Sequence, residues 1–266
     1  MPSLYEYYTR TLHKGKAGVI FLFIMNLFLG VVMVIWTITG MIIFPAFVLY
    51  FKLFKDRSAQ WTTRWAIWVY GHVWQFFTRF FVVFEPFRYN PDQFAGPGII
   101  VVNHRSFFDT YCMNMLPVCD VCFAVRNWPF RIPVYNIFMG LARYLNIEKF
   151  PWQKSLAIAQ ETFDRGGVVL FFPEGHRSRD KQLTRYYSGA FKMAVETNVP
   201  VIPVCITGTQ ELLPPGRYYM KPARIKMTAL APVYPDAFTG ELGHQEMKKK
   251  VKQMMAEQLA AMDGTP

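Results

Sequence analysis

Ala17 to Phe51 is a run of 35 residues without a single charged side chain. An ordinary surface helix keeps a polar face for water, so this run belongs in an apolar setting. One membrane-crossing helix needs about 20 apolar residues, which makes the run longer than one span and too short for two. Gly40 and Pro45 offer a place to bend. Arg10, Lys14 and Lys16 precede the run and Lys52, Lys55 and Arg57 follow it, so the distribution of basic residues selects no orientation. The expectation is a bent or shallowly inserted helical pair with both ends on the cytosolic side, ahead of a single tilted helix. A cleaved leader fits poorly, because the run exceeds a signal core and no small-residue cleavage site follows it.

The next stretch, Gln60 to Phe84, holds four of the seven tryptophans, Trp61, Trp65, Trp68 and Trp74. At helical spacing Gln60, Arg64, Gln75, Thr78 and Arg79 gather on one side and aromatics occupy the rest. Two readings stay open. In one, the helix lies in the headgroup layer with its arginines on lipid phosphates; in the other, it packs on a core with its aromatics buried. Residues 1–84 thus form a membrane-inserted or interfacial helical unit, and residues 85–266 a second unit of different texture.

Beyond Glu85 short apolar runs alternate with helical patterns, which is the signature of an α/β domain with a mixed central sheet flanked by helices. Strands are expected at Gly98–Val102, Val121–Val125, Val168–Phe172 and Val201–Ile206, with an edge strand at Arg224–Leu230. Helices are expected at Ser106–Leu116, Trp152–Arg165, Ser188–Thr197 and Gly243–Met262. In the last of these, Lys248, Lys249, Lys250 and Lys252 read as a solvated face. The composition, 52% hydrophobic with 25 phenylalanines, exceeds the need of a soluble core. The formal charge of +11 suits an anionic partner such as a phospholipid surface, a polyphosphate or a nucleic acid; the apolar segment favours the first.

The chemistry concentrates in two places. Val101-Val102-Asn103-His104-Arg105-Ser106-Phe107-Phe108-Asp109 carries a base and a carboxylate directly after a strand. Imidazole accepts and returns a proton near neutral pH, and a neighbouring carboxylate fixes its tautomer. Ser106 to Asp109 also reads as a capping box opening a helix, and the two roles are compatible. No serine or cysteine nucleophile is evident, so a substrate hydroxyl activated by His104 is expected rather than a covalent intermediate. The second place is Val168-Val169-Leu170-Phe171-Phe172-Pro173-Glu174-Gly175-His176-Arg177-Ser178, again a buried strand ending in a polar loop.

Together these blocks resemble the glycerolipid acyltransferase family, whose patterns are N-H-x-x-x-x-D and F-P-E-G-T-R-S. His176 stands where threonine is usual. Two weaker family blocks follow in order, Gly140 through Ile147-Glu148-Lys149, with Lys149 in place of arginine, and Val199 to Val204. The resemblance implies transfer of a fatty acyl group from acyl-CoA or acyl carrier protein to the free hydroxyl of lysophosphatidic acid, at a membrane and on its cytosolic face, without a cofactor. His104 would be the general base and Asp109 its orienting partner. Arg177, Lys149 and Arg126 are the candidate phosphate cations, with Glu174 orienting Arg177 or bonding the glycerol. Asn103, Arg105, Ser106 and Gly175 complete the expected substrate-contacting set. Backbone amides at His104–Ser106 or at Glu174–Gly175 are candidates for the oxyanion. Lys149 keeps the charge but lacks a guanidinium fork, so a different lysophospholipid headgroup is the alternative acceptor.

Cys119 and Cys122 form a C-x-x-C without a second pair at zinc spacing, and Cys112 and Cys205 stand apart. This usage suits a reducing compartment and no structural metal. Two further classes compete: a metal-dependent membrane hydrolase holding its ion through His104, Glu174 and His176, and a non-catalytic binder of membranes or nucleic acid.

Overall fold

The computed structural model describes residues 4–12, 15–178 and 182–264. Lys14, one of the basic residues flanking the apolar run, lies outside them. The helices are α1 (Leu4–Tyr7), α2 (Lys16–Phe54), α3 (Ala59–Thr78), α4 (Asp109–Cys112), α5 (Tyr135–Leu141), α6 (Trp152–Phe163), α7 (Gly189–Thr197), α8 (Thr209–Leu212) and α9 (Gly243–Asp263). The strands are β1 (Val82–Phe84), β2 (Gly98–Val102), β3 (Val121–Val125), β4 (Leu145–Asn146), β5 (Val168–Phe171), β6 (Val201–Thr207) and β7 (Ala223–Ala229).

Among the described residues, seven strands form one mixed sheet in the order β1-β7-β6-β2-β5-β3-β4. Five neighbouring pairs are parallel and only β6–β7 runs antiparallel. The central strands are continuous apolar runs because both faces of the sheet are covered. Alternation along β2 sends Ile99 and Val101 into a core shared with α6, α7 and α9. Ile100 and Val102 enter the opposite core, with Met25 and Leu29 of α2 and Trp74 of α3. The segment Ala223–Ala229 lies between β6 and β1 instead of at an edge; the edge is β1, too short to register in the sequence.

The apolar run forms one continuous helix of 39 residues, not a bent pair within itself. Pro45 sits inside it, and the rings that follow it pack against α3. Phe47 and Phe51 meet Trp65 at centroid distances of 5.8 and 5.1 Å. The expected pair is instead α2 with α3, joined at Lys55–Ser58, where Asp56 takes φ 48° and Ser58 Oγ accepts the Trp61 N–H. Asn26, a polar residue within the run, docks α2 onto the domain: it exchanges two hydrogen bonds with the Met220 backbone, at 2.7 and 2.9 Å. Most of the remaining α2 surface is exposed and apolar, including Val19, Phe23, Leu27, Ile35 and Ile42.

Helix α3 is amphipathic with its polarity turned inward. Gln60, Arg64 and Thr78 are buried against the domain, while Arg79 is exposed. The Arg64 guanidinium donates to Asp120 Oδ1 at 2.6 Å, to the Ala142 carbonyl at 2.9 Å and to Thr162 Oγ1 at 3.1 Å. Arg165 reaches the other Asp120 oxygen at 3.4 Å. With the Gln60 amide oriented to match its neighbours, its oxygen accepts from Arg64 and Arg165 at 2.9 Å each. Arg64 therefore meets a buried carboxylate rather than a lipid phosphate, which corrects one of the two open readings. At Gly71 the helix approaches the domain so closely that a Cβ would lie 2.8 Å from Asn114 Cβ.

Candidate active site

The residues singled out in the sequence lie on loops at the carboxyl ends of parallel strands, where open α/β sheets place their ligands. The first follows β2 and begins with Asn103 and His104. The short α4 starts only at Asp109, and a 3-10 turn (Met113–Met115) continues it, so the expected Ser106–Leu116 helix is shortened. Asp109 is fully buried, and its Oδ2 accepts from His104 Nδ1 at 2.9 Å, Arg105 N at 2.7 Å and Ser106 N at 2.8 Å. One oxygen thus orients the imidazole and fixes two backbone N–H groups of the loop, but the expected capping box does not form: the N-cap of α4 is Phe108, without a side-chain cap. Ser106 Oγ accepts from the Phe108 N–H at 3.0 Å and donates to the Leu213 carbonyl at 2.6 Å.

These contacts assign the His104 proton to Nδ1 and leave the lone pair on Nε2. Phe172, the residue after β5, lies flat on the imidazole at 4.2 Å between centroids. The His104 side chain keeps 17% exposure while Asp109 keeps none. The ring is held on one edge by the carboxylate and on one face by Phe172.

Glu174 is fully buried and joins the second loop to the first. Its Oε1 accepts the His104 N–H at 2.8 Å, and its Oε2 accepts from Thr184 N at 3.0 Å and Thr184 Oγ1 at 2.8 Å. The Ser178 N–H returns to the His104 carbonyl at 2.8 Å, so both backbone groups of His104 are fixed from the second loop. Glu174 accordingly braces His104 and does not orient Arg177. This also removes the carboxylate that a metal site with His104 and His176 would need. Gly175 adopts φ +69°, and a Cβ there would lie 2.8 Å from the Tyr187 ring. Gly175→Ala is expected to lower stability by about 1–3 kcal/mol through backbone strain, readable as a reduced thermal midpoint.

Several other expected contacts turn inward. The buried Asn103 amide exchanges hydrogen bonds with the Ile206 backbone, at 2.9 and 2.8 Å, in the manner of a strand pair. Arg105 is buried and paired with Asp263 at the end of α9, with Nη1 and Nη2 each 3.0 Å from a carboxylate oxygen. Neither Asn103, Arg105 nor Ser106 therefore faces a substrate. The amides of His104, Arg105, Ser106 and Gly175 are all committed to internal acceptors, so none of these four is left for an oxyanion.

The cations divide. Arg177 and His176 are exposed on the second loop, and Lys149 is exposed on the loop after β4. Arg126, after β3, donates through Nε to Glu148 at 2.7 Å, and Glu148 Oε2 accepts the Asn127 N–H at 2.7 Å. The Asn127 amide first, and then Arg126, hold the Glu148 carboxyl below the usual range. Phe172, Thr184 and Asp263 were not singled out in the sequence. Phe172 stood inside the second block, but Thr184 and Asp263 act across the fold and carry no local signal.

None of the four cysteines is a plausible nucleophile. All are free, and Cys112, Cys122 and Cys205 are buried. Burial pushes each thiol upward, with Cys205 at about 12, so the reactive thiolate is suppressed. Among the described residues, no group of three His, Cys, Asp or Glu side chains is arranged to hold a metal ion.

The acyltransferase family profile matches residues 85–207, spanning both loops. A 1-acyl-sn-glycerol-3-phosphate acyltransferase of Chlamydomonas reinhardtii is 34% identical over 130 residues, covering 48% of this chain and 38% of that relative. A chloroplastic 1-acyl-sn-glycerol-3-phosphate acyltransferase of Brassica napus is 28% identical over 190 residues, 70% of this chain and 52% of the relative. The chain thus spans about half or less of the length of these curated relatives. Among solved structures, the 1-acyl-sn-glycerophosphate (LPA) acyltransferase PlsC from Thermotoga maritima superposes with a TM-score of 0.68 at 24% identity, covering 91% of this chain and 98% of that one. The likeness supports the same fold.

Proposed function

We propose, on the match of residues 85–207 to the acyltransferase family profile, that the chain transfers a fatty acyl group from a thioester to the free hydroxyl of lysophosphatidic acid, giving phosphatidic acid. The observation that carries this reading is the His104 Nδ1–Asp109 Oδ2 contact of 2.9 Å, which leaves the lone pair of Nε2 to act as the base. Nε2 takes the hydroxyl proton as the oxygen attacks the thioester carbonyl. Asp109 stabilises the imidazolium that results. Collapse of the tetrahedral intermediate breaks the carbon–sulfur bond, and the imidazolium returns its proton to the departing thiolate. Among the described residues, the Phe107, His176 and Arg177 amides have no protein acceptor and are the donors we assign to the oxyanion.

The acceptor phosphate falls to Arg177, with Lys149 as a second charge, because Arg126 is already engaged by Glu148. Arg177→Ala is expected to raise the acceptor KM about tenfold with little change in kcat, since a charge-assisted contact is worth roughly 1.5–3 kcal/mol. An unchanged acceptor KM would move the phosphate site elsewhere. Lys149 provides charge without a fork, which supports a second reading in which another lysophospholipid headgroup is accepted. Offering a panel of lysophospholipids with acyl-CoA and with acyl carrier protein, and weighing the products, tests both: the leading reading predicts phosphatidic acid as the main product.

We place the enzyme on one leaflet, with its active site toward the cytosol. The 35 uncharged residues extend about 52 Å as a helix, against a hydrocarbon layer of about 30 Å. Fitting them across the bilayer would demand a tilt of about 55°, beyond the usual range of up to about 40°. A helix lying in the interface beside α3 buries the same surface without that tilt. The free thiols suit the reducing side.

A further inference from the structure

The lysines of α9 lie at the surface as their spacing suggests, and two of them also contact neighbouring side chains. Lys248 Nζ donates to Ser188 Oγ at 2.9 Å, and Lys252 Nζ sits 5.6 Å over the Tyr186 ring. With Lys249 and Arg185 they line an open groove of about 450 Å³ that has four cations and, among the described residues, no acidic side chain in its wall. Four like charges gathered with no counterion among the described residues create a local positive potential that an anion relieves.

Its position says which anion. The groove shares Thr184 with the brace of the catalytic loop, because Thr184 bonds Glu174 and Glu174 bonds the His104 N–H. Helix α7 connects parallel β5 to β6, so its first residues, beside Ser188, lie at the carboxyl end of the sheet with His104. Helix α9 packs in the core opposite the one that holds α2 and α3. The groove therefore faces away from the apolar helices and toward water, which disfavours a lipid headgroup.

We propose that the groove formed by Arg185, Lys248, Lys249 and Lys252 binds the phosphate-bearing carrier end of the thioester donor while its acyl end reaches His104. This deepens the acyl-transfer reading and rests on it. The pantetheine arm holds the carrier phosphates well away from the thioester carbonyl, so they need cations beside the catalytic loop rather than within it. Arg185 and Lys249 are exposed, so replacing both by serine leaves the core untouched.

The test uses the full chain in lipid nanodiscs and two readouts. Calorimetry with adenosine 3′,5′-bisphosphate should show at least tenfold weaker binding in the Arg185→Ser/Lys249→Ser variant. In acyl transfer, the donor KM should rise at least tenfold while the acceptor KM stays within twofold. An acyl-pantetheine lacking phosphate should be used equally by both proteins. A rise confined to acyl-CoA identifies nucleotide phosphates and a rise confined to acyl carrier protein identifies the phosphopantetheine phosphate as the source; either, with weakened bisphosphate binding, supports the groove. Unchanged bisphosphate binding together with unchanged donor KM for both carriers overturns it, as does an equal loss with the phosphate-free donor. Absence of transfer from any donor by the wild-type chain would instead defeat the acyl-transfer reading, while bisphosphate binding would still report on the groove.

Discussion

Replacing His104 by alanine is expected to lower acyl transfer by at least about 10³-fold, within the range that general base catalysis and its coupled charge stabilisation supply. Folding should survive. The imidazole is partly exposed, whereas the backbone of residue 104 keeps its bonds to Glu174 and Ser178 regardless of the side chain. The loss should fall on kcat, with donor and acceptor KM little changed, because the ring acts on the proton in flight more than on ground-state binding. The measurement is initial-rate kinetics on protein whose thermal midpoint matches the wild type. A variant that keeps more than a tenth of the wild-type kcat would remove His104 from the mechanism.

Asp120→Ala is expected to have the largest effect on stability. It leaves the Arg64 guanidinium, whose side chain is fully buried, without its carboxylate. Breaking a buried pair from one side costs about 3–5 kcal/mol, because the remaining charge is uncompensated, and in a domain of this size that lowers the thermal midpoint by roughly 10 °C. Arg64 belongs to α3, while Asp120, Ala142 and Thr162 belong to the α/β domain. The same substitution should therefore loosen the helical hairpin from the domain and expose it to protease at Lys55–Ser58. Replacing both partners by apolar residues, Arg64→Met with Asp120→Leu, should recover most of the stability. If Asp120→Ala lowers the midpoint by less than about 3 °C, the buried pair does not hold α3 in place.

The contrast between these two sites shows what a sequence makes legible. Strands β2 and β3 fall on their expected residues, and β5 and β6 within one residue at an end, because buried parallel strands are continuous apolar runs bounded by polar loops. The two-residue β4 and three-residue β1 offer too few positions for a pattern. Helix α5 carries no signal in the sequence, because it follows Pro133 and a Val134 with φ 70°, a start without a capping residue. The polar stripe of α3 was visible at helical spacing, but its direction was not. Lipid and protein interior are both apolar, so periodicity cannot say whether polar residues face water or a buried carboxylate.

The site divides in the same way. His104 and Asp109 are five residues apart in one loop, and their contact is local enough to read from spacing. Arg105 is adjacent to His104 in sequence, yet it turns inward to Asp263, 158 residues away. Glu174 likewise binds backbone across 70 residues. A block of residue letters marks the loop that carries the chemistry; which side chains face the reactant depends on partners that only the fold brings near.

Direct attack by the acceptor hydroxyl is the claim on which the mechanism turns, and intact-protein mass spectrometry tests it. Wild-type chain mixed with acyl-CoA in the absence of acceptor should keep its unmodified mass and leave the thioester whole. Adding lysophosphatidic acid should then release free CoA and diacyl product in equal amounts. An acyl adduct on the protein before acceptor is added, or CoA release that is equally fast without acceptor, would contradict the account.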